Sequence, residues 1–255
     1  MQEMVRVGSD KVWAEDSGGA GPVLVLLHEG VADSRMWDPV WPALTASYRV
    51  IRYDVRGYGK SGPATQDYTL AGDLRAVLAH FGIPRAHLAG CSMGGLCAVE
   101  FALAEPDRVQ SLVLLASGFE GYRYPEQPEL EAEYAALDAA GDEDGIVRLL
   151  LGIWGAAGPD AFVTDLMRSS RRAAANEEQF QHPGEGTYDR LEQLRPPTVI
   201  MVGDKDFPPL IAANEEAARR IPRCELIRMP GVDHYPTVRA PALVLSTILR
   251  HCAAA

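Results

Sequence analysis

The chain has 255 residues, of which 47% are hydrophobic and 23% charged, a composition typical of a globular protein that can bury a substantial core. Its net charge is −11 and its pI is near 5.0, so we expect neither nucleic acid nor an anionic membrane as a partner. The first residues carry no apolar signal segment, and no apolar run approaches the ~18 residues that cross a bilayer. We therefore expect a soluble, cytoplasmic protein.

The first predicted elements are strands. Two short β-like stretches, residues 4–7 and 11–15, predict an edge hairpin. Residues 23–27 form a continuous apolar run, which is typical of a strand buried on both faces. A helix over residues 40–46 and a strand over residues 48–53 follow.

The middle of the chain has a strand, turn and helix pattern. A helix is predicted over residues 68–81, because its apolar side chains fall on one face. Residues 87–89 then lead into the sequence Gly-Cys-Ser-Met-Gly-Gly at 90–95, and residues 96–103 follow as a helix. This is the G-x-S-x-G pattern of a nucleophile elbow, a turn so tight that the neighbours of the serine must lack side chains. Residues 109–115 predict another buried strand.

Residues 119–196 differ in character, since they contain acidic helical stretches and no apolar run typical of a strand. We interpret them as a helical lid inserted into a core made of residues 1–118 and 197–255. Helices are predicted in the lid over residues 129–140, 145–154 and 160–175. Strands at 198–202 and 224–229 and helices at 212–221 and 240–251 complete the core. This alternation predicts an α/β fold, a mostly parallel sheet with helices on both faces.

The four cysteines, Cys91, Cys97, Cys224 and Cys252, have no metal-binding spacing. We expect them to be reduced thiols, and Cys91 to be a small residue that fits the turn. No metal site and no cofactor are expected.

Three chemically active residue types follow predicted strands: Ser92, an acid of the Asp204/Asp206 pair, and His234. The carboxyl ends of parallel strands meet at one edge of a sheet, where ligands bind. A serine hydroxyl becomes nucleophilic when a histidine takes its proton, and a carboxylate orients that histidine. The order Ser, Asp, His is that of the α/β-hydrolases.

The chain resembles the α/β-hydrolase superfamily over nearly its whole length. The resemblance rests on His28 with Trp37 nine residues later, D-x-R-G-x-G-x-S at 54–61, the elbow, G-x-x-D at 203–206 and G-x-x-H-x-P at 231–236. It implies that Ser92 is the nucleophile, Asp206 the acid and His234 the base, with Asp204 as the rival acid. Its motifs look most like those of small esterases and 3-oxoadipate enol-lactonases, and are also similar to those of perhydrolases and C–C bond hydrolases.

The resemblance also implies an oxyanion hole, with Gly30 and Met93 as the donors and Val31 as the alternative to Gly30. One residue departs from the family pattern, because Glu29 stands where a glycine is usual. Its side chain could face solvent, pair with Arg35 or Arg56, or touch substrate. The residues predicted to contact substrate are Glu29, Val31, Trp37, Trp154, Phe162, Met167 and Tyr235.

These features predict a serine hydrolase that cleaves a small-molecule ester or lactone through an acyl-Ser92 intermediate. A serine argues against haloalkane dehalogenation and epoxide hydrolysis, which proceed through an aspartyl ester in similar families. Two alternatives keep the same three residues: a small-molecule receptor, and a lyase or cyclase. The sequence leaves a homo-oligomer open.

Overall fold

The computed structural model describes residues 1–171, 173, 179–184 and 186–255. Eight strands form one sheet in the order β1-β2-β4-β3-β5-β6-β7-β8. The strands are β1 (Gln2–Val7), β2 (Asp10–Asp16), β3 (Val23–Leu27), β4 (Arg49–Tyr53), β5 (Ala86–Cys91), β6 (Val109–Leu115), β7 (Thr198–Gly203) and β8 (Cys224–Met229). β1 and β2 form the predicted antiparallel hairpin, β2 pairs antiparallel with β4, and all other pairs are parallel.

Nine α-helices lie entirely within the described residues. They are α1 (Trp41–Thr45), α2 (Leu70–His80), α3 (Met93–Ala104), α4 (Pro128–Ala140), α5 (Glu143–Trp154), α6 (Ala161–Ser170), α7 (Pro208–Arg220), α8 (Pro236–Arg239) and α9 (Pro241–Ala253). Short 3₁₀ helices occupy Ser34–Trp37, Pro106–Arg108 and Tyr188–Gln193.

Each face of the sheet is covered by its own hydrophobic core. Successive side chains of a strand point to opposite faces, so Val25 and Leu27 of β3 pack with α2 and α3, whereas Leu24 and Leu26 pack with α1 and α9. Every residue of β5 and of β7 is buried. The central strands are therefore covered on both sides, which explains their continuous apolar runs.

Most helix boundaries differ from those expected by one to three residues, and two differ by more. α7 begins at Pro208 rather than at residue 212, because proline is well suited to the first turn of a helix, where its missing N–H is not needed. α6 ends at Ser170, and Asp160 caps its start by accepting hydrogen bonds from the N–H groups of Phe162 and Val163. Of the predicted 160–175 helix, residues 172, 174 and 175 lie outside the described residues.

The segment between β6 and β7 carries α4, α5 and α6, and no β-strand is assigned in its described part. Its function as a lid stays an interpretation. No helix in the described ranges combines the length and hydropathy that a membrane crossing needs.

Candidate active site

Ser92 lies on the sharp turn between β5 and α3. Its backbone has φ 49° and ψ −111°, a conformation that costs roughly 1–3 kcal/mol for a residue with a side chain. Three hydrogen bonds hold it: the Ser92 N–H donates to the Leu115 carbonyl (2.9 Å), and the Ser92 carbonyl accepts from the N–H groups of Leu96 (2.9 Å) and Gly118 (3.0 Å). A strained serine held this firmly is the geometry of a nucleophile elbow.

Two glycines make the turn sterically feasible. A Cβ on Gly90 would overlap the carbonyl of Gly94, and a Cβ on Gly94 would overlap the Leu27 carbonyl of β3. Both obstacles are backbone atoms of packed elements, which cannot rotate away. The glycines of the G-x-S-x-G pattern are therefore required by the close approach of α3 to the sheet.

We expect Gly94→Ala to destabilise the protein by about 2 kcal/mol or more, because backbone must move to admit the methyl group. Gly152→Ala is the matched control, since Gly152 is exposed in α5 and its Cβ would meet no atom within 4 Å. The control is expected to be neutral or slightly stabilising, because alanine is the better helix former. Denaturant unfolding of both variants checks this. Wild-type stability in Gly94→Ala would contradict the steric argument.

His234 is paired with Asp206 beneath the surface. Both side chains are almost completely buried, and His234 Nδ1 lies 3.0 Å from each carboxylate oxygen of Asp206. The Phe207 N–H also donates to Asp206 Oδ1 at 2.7 Å. An ionised carboxylate only accepts hydrogen bonds, so Nδ1 carries the proton and Nε2 is left as the basic nitrogen of the neutral ring.

The charge around His234 favours its protonated form. Burial by itself would lower the pKa of His234, but the Asp206 carboxylate, supported by Glu29 and Asp233, raises it above the ordinary histidine value. The imidazolium that forms when His234 takes a proton is therefore stabilised by its surroundings.

The neighbouring acids brace the loops. Asp204 is exposed and accepts a hydrogen bond from the Gly231 N–H at 2.7 Å, so the rival acid does not contact His234. Asp233 accepts from the Tyr235 N–H (3.1 Å) and pairs with Arg239 (3.0 Å). These hydrogen bonds and this ion pair therefore fix the two loops that carry Asp206 and His234.

The loop after β3 brings the two expected oxyanion donors side by side. A Cβ on Gly30 would lie 3.9 Å from Met93 Cβ, and the Tyr58 hydroxyl donates to the Gly30 carbonyl at 3.2 Å. His28 braces this loop, since its Nε2 accepts from the Val55 N–H (2.9 Å) and its Nδ1 donates to the Glu29 carbonyl (2.8 Å). Met93 also begins α3, whose first N–H groups have no partner within the helix.

Glu29 does not face solvent. It is completely buried, and the Cys91 thiol donates to its Oε2 at 2.9 Å. The pairings considered for it are wrong, because Arg35 pairs with Asp33 and Asp165, and Arg56 pairs with Asp10 and Asp73. Burial raises the pKa of Glu29 to about 7, although His234 and the Cys91 thiol act in the opposite direction.

Four of the seven residues predicted to contact substrate have no exposed surface. They are Glu29, Trp37, Met167 and Tyr235. The structure thus places these four in the interior rather than on an open surface, and their contact with substrate stays a prediction. Tyr235 donates its hydroxyl proton to the Val31 carbonyl at 3.1 Å, which holds the loop after β3. Trp37 packs in the core on the α1 and α9 side.

The other three predicted contacts, Val31, Trp154 and Phe162, are half-buried. Trp154 lies next to the histidine: its ring centroid is 4.5 Å from that of His234, and its carbonyl accepts the His234 N–H at 3.1 Å. Trp154 also packs edge-on against Phe207 at 5.5 Å. Phe207 was missed by sequence reasoning, although its place directly after Asp206 could have indicated it.

Trp154 and Phe207 form one wall of an apolar groove of about 410 Å³ under α4 and α5. Tyr124, Tyr134 and Leu150 are among its other lining residues. A larger cavity of about 570 Å³ lies elsewhere, among the ion pairs of Arg35 and Arg52, and its lining includes none of Ser92, Asp206 and His234. None of these three residues lines the apolar groove either, but its Trp154 ring packs against His234.

All four cysteines are unpaired thiols, as expected. Within the described ranges, no group of three His, Cys, Asp or Glu side chains is arranged to hold a metal ion.

Comparison with known proteins identifies the family. A family model described as the alpha/beta hydrolase fold matches residues 22–238. The chain therefore belongs to the alpha/beta hydrolase fold family.

Three relatives indicate the range of activities on this fold. A fluoroacetate dehalogenase from a Burkholderia species is 31% identical over 179 residues, which are 61% of this chain and 58% of the relative. The enol-lactonase structure from Burkholderia xenovorans LB400 has a TM-score of 0.82 at 22% identity and covers 98% of this chain and 100% of its own. A carboxylesterase structure from Bacillus subtilis has a TM-score of 0.80 at 23% identity, and the match covers 100% of this chain and 92% of the carboxylesterase chain. The structural likenesses show the fold alone.

The chain spans 58% of the length of the dehalogenase and smaller shares, 29% and 39%, of the next two curated relatives. The activities of these proteins are thus starting points for a proposal.

Proposed function

We propose that this protein is a serine hydrolase that cleaves a carboxylic ester or lactone through an acyl-serine intermediate on Ser92. The observation that carries the proposal is the buried His234–Asp206 pair, 3.0 Å from nitrogen to oxygen, at the sheet edge where Ser92 is held on its turn. A fixed carboxylate, a histidine whose Nε2 is available as a base and a serine on a sharp turn are the parts that acyl transfer needs.

In the first half of the proposed reaction, Ser92 Oγ attacks the substrate carbonyl while His234 Nε2 takes the hydroxyl proton. The negative charge that develops on the carbonyl oxygen is stabilised by the N–H groups of Gly30 and Met93. The tetrahedral intermediate then collapses, the carbon–oxygen bond to the leaving group breaks, and His234 gives its proton to the departing alkoxide. A lactone leaves its alcohol attached to the acyl chain.

In the second half, water attacks the acyl-Ser92 ester and His234 Nε2 accepts a proton from it. The second tetrahedral intermediate expels the serine alkoxide, which recovers the proton from His234. The products are a carboxylic acid and an alcohol, or a hydroxy acid from a lactone. Asp206 holds the ring in one tautomer throughout and stabilises its cationic form.

The identity of the nucleophile supports ester cleavage over dehalogenation, the activity named for one relative. Displacement of a halide by a serine oxygen would form an ether, which water does not cleave at an appreciable rate. Attack of serine on a carbonyl forms an ester, which the same histidine can hydrolyse. Only the second sequence regenerates Ser92.

The apolar groove supports a substrate with an apolar portion. Trp154 and Phe207 join the groove to the His234–Asp206 pair. Burial of apolar surface gains roughly 25 cal/mol per Å². We therefore infer that the acyl or alcohol part of the substrate packs against these two rings.

The test is a substrate panel in ¹⁸O-labelled water: short-chain p-nitrophenyl esters, simple lactones and fluoroacetate. The proposal expects acid products from esters or lactones with one ¹⁸O atom per turnover, and no fluoride release. Fluoride release, or a product formed without incorporation of label, would contradict it. Folded protein that turns over no member of a broad ester and lactone panel would also count against a hydrolase.

A further inference from the structure

The Glu29 carboxylate is a buried acid that the proposed reaction does not use. It has no exposed surface, and its Oε1 has no hydrogen-bond partner among the described residues. Its Oε2 accepts from the Cys91 thiol at 2.9 Å, and the same sulfur lies 3.9 Å from the His234 carbonyl oxygen. One sulfur atom thus bridges the end of β5, the Glu29 carboxylate and the loop that carries the histidine.

Nothing in the described part of the chain neutralises Glu29 with an arginine or lysine. The thiol that touches it stays protonated, since burial and then Glu29 itself raise the pKa of Cys91 well above its ordinary value. The Cys91 sulfur links this buried carboxylate to the loop that carries His234. In that position the imidazolium of His234 lowers the pKa of Glu29, and the Glu29 carboxylate raises the pKa of His234.

The titratable and charged groups that surround the imidazole come from five places in the fold. They are Glu29 after β3, Cys91 at the end of β5, Asp206 after β7, Asp233 beside the histidine, and Arg239 of α8, which pairs with Asp233. Asp206 is engaged by Phe207 and His234, and Asp233 by Arg239. Glu29 alone among these acids has a buried oxygen without a partner.

We propose that Glu29 is a positioning residue that acts through charge: its buried carboxylate and the His234 imidazole share one proton equilibrium, which sets the pH at which His234 becomes a free base. This inference depends on the proposed function in one respect, the role of His234 as the base. The coupling itself is a property of the folded protein and does not depend on turnover.

The sign of the effect follows from the charges. An ionised Glu29 favours the protonated imidazole, so it raises the pKa of His234. Removing that charge lets His234 lose its proton at a lower pH. By reciprocity, the imidazolium favours the ionised carboxylate and lowers the pKa of Glu29. Two groups coupled in this way titrate as a pair, over a wider pH range than either would alone.

The first experiment follows the ring carbon signals of His234 by NMR between pH 4 and 10 in wild type, Glu29→Gln and the surface control Glu225→Gln. The His234 signal is assigned by its loss in His234→Gln. We expect the His234 midpoint to move to lower pH and its curve to become a single step in Glu29→Gln, with no change in the control. Superimposable wild-type and Glu29→Gln curves would overturn the proposal.

A second measurement covers the case in which Glu29→Gln fails to fold, because its amide would bury an unpaired donor. Carboxyl-¹³C glutamate labelling of wild type and His234→Gln reports Glu29 directly. We expect the Glu29 midpoint, about 7 in wild type, to rise in His234→Gln, and an unchanged midpoint would contradict the coupling. If both titrations shift but no ester is turned over, the coupling stands and the proposed function fails.

Discussion

Replacing Ser92 with alanine is expected to lower kcat for ester hydrolysis by roughly four to six orders of magnitude, with little change in stability. The size of the loss follows from removing the only atom that forms the acyl bond, since nucleophile deletions in serine hydrolases fall in about this range. Stability should persist because alanine keeps the same backbone position and the three backbone hydrogen bonds around residue 92 do not involve the hydroxyl.

Ser246→Ala is the matched control, because Ser246 is exposed on α9 and its hydroxyl only donates to the Leu243 carbonyl. It should retain wild-type kcat within about twofold. Steady-state kinetics of both variants measure the change in kcat, and thermal unfolding measures the change in stability. Retention of more than a tenth of the wild-type kcat by Ser92→Ala would mean that another group is the nucleophile.

Replacing Asp206 with asparagine is expected to lower kcat by about 10⁴-fold, as loss of the orienting carboxylate does in such triads. The Phe207 N–H donates to Oδ1 at 2.7 Å, so an asparagine would keep its oxygen there and turn its amide NH₂ toward His234 Nδ1. Nδ1 would then have to accept, which moves the ring proton to Nε2 and blocks the base. The negative charge that favours the imidazolium is lost as well.

Asp204→Asn provides the comparison, because Asp204 accepts only the Gly231 N–H and an amide oxygen can do the same. Its kcat should stay within about threefold of wild type. Equal losses in the two variants, measured with the same ester at the same pH, would show that Asp206 has no special relation to His234.

Much of the fold could be predicted because its central strands are short runs of apolar residues with clear breaks. β3, β6 and β8 begin and end at the predicted residues, since glycine, proline and charged residues bound them. The candidate site residues could be assigned to one edge of the sheet for the same reason, as each follows the carboxyl end of a parallel strand.

The position of Glu29 could not be predicted. A glutamate in a loop is usually exposed, and burial of its carboxyl group costs free energy unless it is neutral or paired. Here the loop turns the side chain inward toward Cys91 of β5, a contact between residues 62 positions apart. Only the three-dimensional arrangement of the two strands brings them together.

The apolar groove beside Trp154 could not be predicted from the sequence either. The sequence of α4 consists mostly of alanine and acidic residues, so its pattern does not show which face of the helix is covered. Its Tyr134 nevertheless lines the groove with Tyr124 and Trp154. Trp37 and Met167, which were predicted to contact substrate, are as apolar as the groove residues but lie in the interior. Hydrophobicity alone does not distinguish a core residue from a pocket residue.

The central claim, an acyl-forming serine at residue 92, is tested most directly by a fluorophosphonate, which phosphonylates an activated serine with loss of fluoride. Intact-mass analysis followed by peptide mapping locates the adduct. We predict one adduct per wild-type chain, on the peptide that contains Ser92, the same result for Ser246→Ala, and none for Ser92→Ala. An adduct that persists in Ser92→Ala, or no adduct on folded wild-type protein, would contradict the claim.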